Sequence, residues 1–206
     1  MHCTFHTFQR SSWAVNSYRT VRTLMPNYRR LYRPGGCWFF TVNLADRQAT
    51  LLTDHIDLLR DAMRETNSRF PFHIDAIVIL PDHIHTIWTL PEGHHDFSVR
   101  WRRIKALFSK RMPKTEWIAP NRRSRGERGI WQRRFWEQLI EDDDAYDRCV
   151  DYIYFNPVAH GYVQTIAEWP HSSFHRDRRI EEHELSEIRQ RVEAMHDAKF
   201  GERGEV

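Results

Sequence analysis

Cysteine is scarce in this chain. Three occur among 206 residues, Cys3, Cys37 and Cys149, with no Cys-x-x-Cys spacing, which argues against a disulfide framework and against a cysteine-built zinc site. A reducing compartment, the cytoplasm, is the expected location. Long apolar runs are missing as well: no stretch approaches the roughly 20 residues of a membrane span, and the opening MHCTFHTFQRSSWAV lacks the unbroken apolar centre of a signal peptide. There is no internal repeat and no long low-complexity tract. The length suits one domain with appendages and leaves no room for two large ones.

Charge is plentiful but unevenly placed. Between Arg100 and Arg134 stand thirteen Lys or Arg against Glu116 and Glu127, a local net charge of +11 in a chain whose total is +3, so the remainder is acidic. A block of this kind suits a polyanionic partner.

Residues 1–24 carry no clear periodicity, and Met25 followed by Pro26-Asn27-Tyr28 reads as a natural start, so the first 24 residues are expected to be a flexible leader or an over-long start. Gly36–Leu44, aromatic and β-branched behind the Pro34-Gly35-Gly36 break, reads as a strand. Thr53–Asn67 reads as a helix capped by Thr53, with Ile56, Leu59 and Met63 at helical spacing. Phe72–Leu80 and His83–Leu90 are strands joined by a turn at Pro81-Asp82. Phe97–Arg111 is a helix with an apolar face and a basic one, Lys114–Gly129 an arginine-rich loop, and Ile130–Leu139 a fourth strand. Asp142–Asn156 is a helix opened by acidic residues that suit its N-terminus and closed by Pro157. Glu182–Phe200 forms a C-terminal amphipathic helix on Leu185, Ile188, Val192 and Met195. The order β-α-β-β-α-β-α predicts an α+β, ferredoxin-like split βαβ domain over residues 25–176, with an antiparallel sheet helix-covered on one face, an added helix, and an appendage over residues 177–206.

Two local patterns carry chemistry. In the strand after Asp82, His83 and His85 share a face; the pair could hold one metal ion, and spacing alone allows equally two hydrogen-bonded core histidines. In the last helix of the domain Tyr152 and Asn156 are four apart and share a face, whereas Tyr154 points elsewhere. A phenol is a competent covalent nucleophile, and an amide oxygen one turn away can complete the coordination of a hard divalent cation beside two imidazoles. Histidines elsewhere (His55, His73, His94, His95) read as structural or solvated, and the run Glu141–Asp144 as helix-dipole charges rather than a metal cluster.

Taken with Asn27-Tyr28-Arg29-Arg30, Trp131-Gln-Arg-Arg-Phe-Trp-Glu137 and Trp169-Pro-His-Ser-Ser-Phe174, these patterns resemble the single-tyrosine HUH nucleases, and more narrowly the REP-associated tyrosine transposases, from about Asn27 to Phe174. The resemblance implies a metal-dependent nuclease and strand transferase acting on single-stranded DNA beside palindromic hairpins through a 5′-phosphotyrosine. It implies His83, His85 and Asn156 as ligands of Mg2+ or Mn2+ and Tyr152 as nucleophile. Two departures stand out: Tyr154 and Gln138 occupy positions where relatives often have histidine. The second phenol leaves the choice of nucleophile open, and the shared face with Asn156 favours Tyr152.

The expected partner is single-stranded or hairpin DNA, with no membrane, in a monomer or homodimer at the nucleoid. Arg102, Arg103, Lys105, Lys110, Arg122, Arg123, Arg125, Arg133 and Arg134 would neutralise phosphates. Trp131 is a candidate for stacking unpaired bases, although an aromatic in a strand more often packs inward. Two rivals remain: a catalytically silent nucleic-acid binder, and a metal-dependent hydrolase using activated water. The aromatic signature of RNA-recognition modules is absent.

Overall fold

The computed structural model describes residues 33–114, 118, 120–126 and 128–176. The expected leader over residues 1–24, the Asn27–Arg30 motif and the C-terminal helix over Glu182–Phe200 lie outside the described residues.

Four strands, β1 (Cys37–Asn43), β2 (His73–Ile79), β3 (His83–Thr89) and β4 (Trp136–Ile140), form one sheet in the order β2-β3-β1-β4. All three pairings are antiparallel, the split βαβ arrangement expected. The helices are α1 (Leu51–Asp54), α2 (Ile56–Arg69), α3 (Phe97–Arg111), α4 (Pro120–Arg123) and α5 (Asp143–Ala159).

Strand alternation divides the core in two. Trp38, Phe40 and Val42 of β1 with Ile84 and Trp88 of β3 turn toward α2 and α3, where Leu59, Trp101, Ile104 and Phe108 complete the layer. The Trp88 and Trp101 rings stack at 4.2 Å; burying one such aromatic contributes roughly 4–6 kcal/mol of gross transfer free energy. Phe39 and Ile87 turn the other way, onto Tyr152, Ile153 and Phe155 of α5. Both faces of the sheet are therefore covered, not one. In β2 a register shift between Ile74 and Ala76 changes which residues face which layer, so Ile74 and Ile77 meet α2 and α3 while Ala76 and Val78 meet α5.

Three boundaries differ from the sequence reading. The first helix begins at Leu51 and breaks at His55 (φ −122°, ψ 38°), so Thr53 lies inside α1 and does not cap it; its hydroxyl bonds the Thr50 carbonyl. The fourth strand starts at Trp136. Trp131 makes one isolated bridge to Leu44, and Gln132-Arg133-Arg134 leave the ladder exposed because Ile130, Trp131 and Phe135 all enter the same core layer, which strict alternation forbids. Helix α5 continues through Pro157 to Ala159. A proline in the last turn removes only the N–H that would have met the Ile153 carbonyl, a small loss beside the packing of this buried helix.

Candidate active site

Register and alternation build the site. His83 and His85 share the α5 side of the sheet with Asn43 and Thr41, their partners across the β1–β3 ladder. They are 3% and 1% exposed, and their ring centroids lie 4.8 Å apart at 81°. The Thr41 hydroxyl bonds His85 Nδ1 at 2.9 Å, and Phe39 stacks on the His85 ring at 5.8 Å.

His83 is oriented by its own neighbour in sequence. Asp82 Oδ1 lies 2.7 Å from His83 Nδ1, and Asp82 Oδ2 bonds Arg47 Nε at 3.0 Å. Burial by itself raises the Asp82 carboxyl, but the His83 hydrogen bond and the charges of His83 and Arg47 outweigh it and hold the group below its ordinary value. An ionised carboxylate only accepts, so His83 Nδ1 carries the hydrogen of this contact, and the tautomer it selects has its lone pair on Nε2. Arg47 also donates to Asn43 Oδ1 at 2.8 Å, tying the pair to the end of β1.

Helix α5 closes over this face. It starts at a true N-cap, with Asp142 accepting from the Ala145 N–H at 2.7 Å, the dipole role expected of the acidic run. Tyr152 and Asn156 are both fully buried, and the Tyr152 ring meets the His85 ring edge-on at 5.0 Å. Asn156 Oδ1 and Nδ2 have no hydrogen-bond partner among the described residues. Buried amides are usually hydrogen-bonded, so this one has donor and acceptor capacity to spare on the α5 side of the sheet. Tyr154 faces elsewhere: its hydroxyl accepts from Ser173 Oγ at 3.4 Å and its ring meets Phe174 at 5.6 Å, beside β2. Gln138 lies opposite Phe39 in the β4–β1 ladder, on the same side of the sheet as the histidines.

Among the described residues no group of three or more His, Cys, Asp or Glu is placed to hold a metal ion. The donor set available is two imidazoles and one amide oxygen, and the unpartnered Asn156 amide fits it. Such a nitrogen-and-oxygen set suits Mn2+, with Mg2+ the harder alternative.

The basic residues do not converge on this face. Arg102, Arg103, Lys105 and Lys110 belong to α3, in the layer on the far side of the sheet. Arg102 and Lys110 are exposed, while Arg103 reaches Glu65 at 3.4 Å. Lys105 is half-buried: its ammonium donates to the Gln132 carbonyl at 2.9 Å and lies 5.6 and 5.5 Å from the Trp131 and Phe135 ring centroids, and burial pushes its pKa down to about 8. Trp131 is 8% exposed and packs on Phe108 in the core, so it offers no face to a base. Arg123, Arg125, Arg133 and Arg134 are exposed and Arg122 is half-buried. Of these, Arg133 and Arg134 follow Gln132, whose N–H donates to the Asn43 carbonyl at the same sheet end as His83.

No protein-family model matches the chain. Two curated relatives carry the name REP-associated tyrosine transposase. One, from Haemophilus influenzae, is 48% identical over 158 residues, 76% of this chain and 90% of its own length. The other, from Escherichia coli K12, is 48% identical over 153 residues, 74% of this chain and 85% of its own. The solved structure of a REP-associated tyrosine transposase bound to a REP hairpin superposes with a TM-score of 0.64 at 48% identity, covering 74% of this chain and 85% of that one. These likenesses make the chain a transposase of the tyrosine class. More closely, it belongs to the family of REP-associated tyrosine transposases.

Proposed function

We propose that this chain binds a REP hairpin and cuts and rejoins single-stranded DNA beside it, with Tyr152 as nucleophile and a divalent metal ion held by His83, His85 and Asn156. The hairpin is the ligand named for the relative of solved structure. The observation that carries the assignment is the fully buried, unpartnered Asn156 amide one helical turn from Tyr152, on the helix that covers the histidine pair.

The bound ion would supply Lewis-acid polarisation of the scissile phosphate. The protein's own groups do the rest. Asp82 and Thr41 hold the two imidazoles by Nδ1, and α5 fixes the phenol against the His85 ring. The Tyr152 oxygen attacks phosphorus, the P–O3′ bond breaks, the phenolic proton is lost and the leaving 3′ oxygen gains one. The product is a 5′-phosphotyrosine, which exchanges one phosphodiester for another; a second 3′-hydroxyl can reverse the step and join strands. Tyr152 is fully covered in this structure, so strand entry requires its cover to move.

The test uses single-stranded DNA carrying a REP hairpin, labelled at either end, incubated with Mn2+ or with EDTA. The expected result is a metal-dependent cut in which only the fragment 3′ of the break stays attached to protein. Tight, salt-sensitive binding without any adduct would assign the chain instead as a silent DNA binder.

A further inference from the structure

The end of α5 places an aromatic surface at the rim of the site. Gly161, at φ +72°, donates to the Val158 carbonyl at 2.9 Å, and the next N–H, that of Tyr162, returns to the Pro157 carbonyl at 3.0 Å. This pair of bonds is the Schellman ending of a helix, and the left-handed backbone it needs falls on glycine. The backbone of Tyr162 is therefore fixed to the helix that carries Tyr152 and Asn156. Three rings then follow one another: His160 lies 5.2 Å from the His83 ring, Tyr162 lies 6.0 Å from His160 at 28°, and Trp169 lies 5.4 Å from Tyr162 at 30°. Trp169 is itself pinned, its indole N–H donating to the Ile79 carbonyl at 3.0 Å.

Tyr162 is 45% exposed, the one exposed large hydrophobic side chain among the described residues. Its phenol is raised by burial and by the charge of Asp82 and lowered by Arg47, so it sits within the field of the pair that orients His83. A single exposed tyrosine needs no explanation by itself. One anchored at both its backbone and its neighbouring ring, at the rim of the candidate site, has the parts of a base-stacking platform: a fixed and partly exposed π face.

We propose that Tyr162, backed by Trp169, stacks an unpaired base of the DNA strand next to the bond that is cut. The inference rests on the proposed function, since it needs a single strand in the site. Trp131, the aromatic that the sequence offered for this role, is buried, and Tyr162 takes its place.

The experiment uses the full chain carrying Tyr152→Phe to prevent cleavage, and REP hairpins with 2-aminopurine at successive unpaired positions beside the stem. One position should be quenched on binding. Adding Tyr162→Leu should abolish that quenching and weaken binding of the flanked hairpin by about 5- to 150-fold, the range expected for loss of one base–aromatic stack. Tyr162→Trp should retain both, and a hairpin without unpaired flanks should bind the Leu variant as well as the parent. Unchanged quenching and affinity in Tyr162→Leu, with the wild-type chain still forming a DNA adduct, would overturn the platform and leave the function standing. A wild-type chain that neither binds the hairpin nor forms an adduct would overturn both.

Discussion

Replacing Asp82 separates the orienting of His83 from its simple presence. The carboxylate makes two contacts, to His83 Nδ1 at 2.7 Å and to Arg47 Nε at 3.0 Å. The first has the length of a charge-assisted hydrogen bond. Asp82→Asn keeps an acceptor oxygen but removes the charge that makes the imidazole a better ligand, and changes to such supporting groups typically cost about 10- to 100-fold in metal affinity or activity. The half-saturating Mn2+ concentration for adduct formation should rise by that factor. Asp82→Ala loses both contacts. The buried bond to His83 is worth about 1.5–3 kcal/mol; the Arg47 pair adds little, because that side chain is 42% exposed and regains water. A loss of about 2 kcal/mol follows. Because the Asp82 carboxyl is held below its ordinary value, its contribution is present at neutral pH and fades as pH falls through that depressed value. The stability gap between wild type and Asp82→Asn should therefore shrink below about pH 4, near the ordinary carboxylate pKa. The assays are Mn2+ titration of adduct formation and urea unfolding at several pH values. An Asn variant with unchanged Mn2+ dependence would refute the orienting role.

Three further outcomes follow from the same geometry. Asn156→Ala removes two buried polar atoms that have no partner, a burden of about 1–3 kcal/mol each when unmet; in EDTA the variant should be at least as stable as wild type while losing adduct formation, and a marked fall in melting temperature in EDTA would contradict this. Lys105, with its pKa near 8 against 10.5 for the ordinary group, binds fewer protons folded than unfolded between those values, so it makes stability rise with pH across that window; the difference between wild type and Lys105→Met, measured by denaturation at pH 7.5 and 9.5, should show that rise removed. Arg100 is fully buried and donates to the Pro71 carbonyl at 2.8 Å, to Asp96 and to His94, so Arg100→Met should cost about 2–4 kcal/mol in urea unfolding without changing the salt dependence of DNA binding.

The elements legible in the sequence were those whose own period announces them: β1, β2 and β3 by aromatic and β-branched alternation, α3 by its apolar stripe, α5 by its acidic start. Boundaries set by tertiary packing were not. No local signal says that the adjacent Ile130 and Trp131 enter one layer and that Gln132–Arg134 leave the ladder, or that a buried helix carries on past Pro157. The site divides in the same way. His83 with His85, and Tyr152 with Asn156, are pairs whose spacing alone puts them on one face. Thr41 reaches His85 only through the β1–β3 register, which no stretch of either strand reveals, and Arg47, outside the ladder, enters only by way of Asp82. Asp82 was adjacent to His83 all along, and a carboxylate beside a candidate metal histidine was a readable signal hidden by its role in the turn. The basic block was visible as charge, but the sequence does not tell which layer a helix joins, and α3 joined the one opposite the histidines.

Tyr152 as nucleophile is tested most directly by a denaturing protein gel of the full chain incubated with Mn2+ and single-stranded DNA carrying a REP hairpin, run beside Tyr152→Phe, Tyr154→Phe and His85→Ala. With Tyr152 against His85 and Tyr154 held by Ser173 and Phe174, the expected result is a covalent adduct that survives in Tyr154→Phe and is lost in the other two. An adduct that persists in Tyr152→Phe and vanishes in Tyr154→Phe would contradict it.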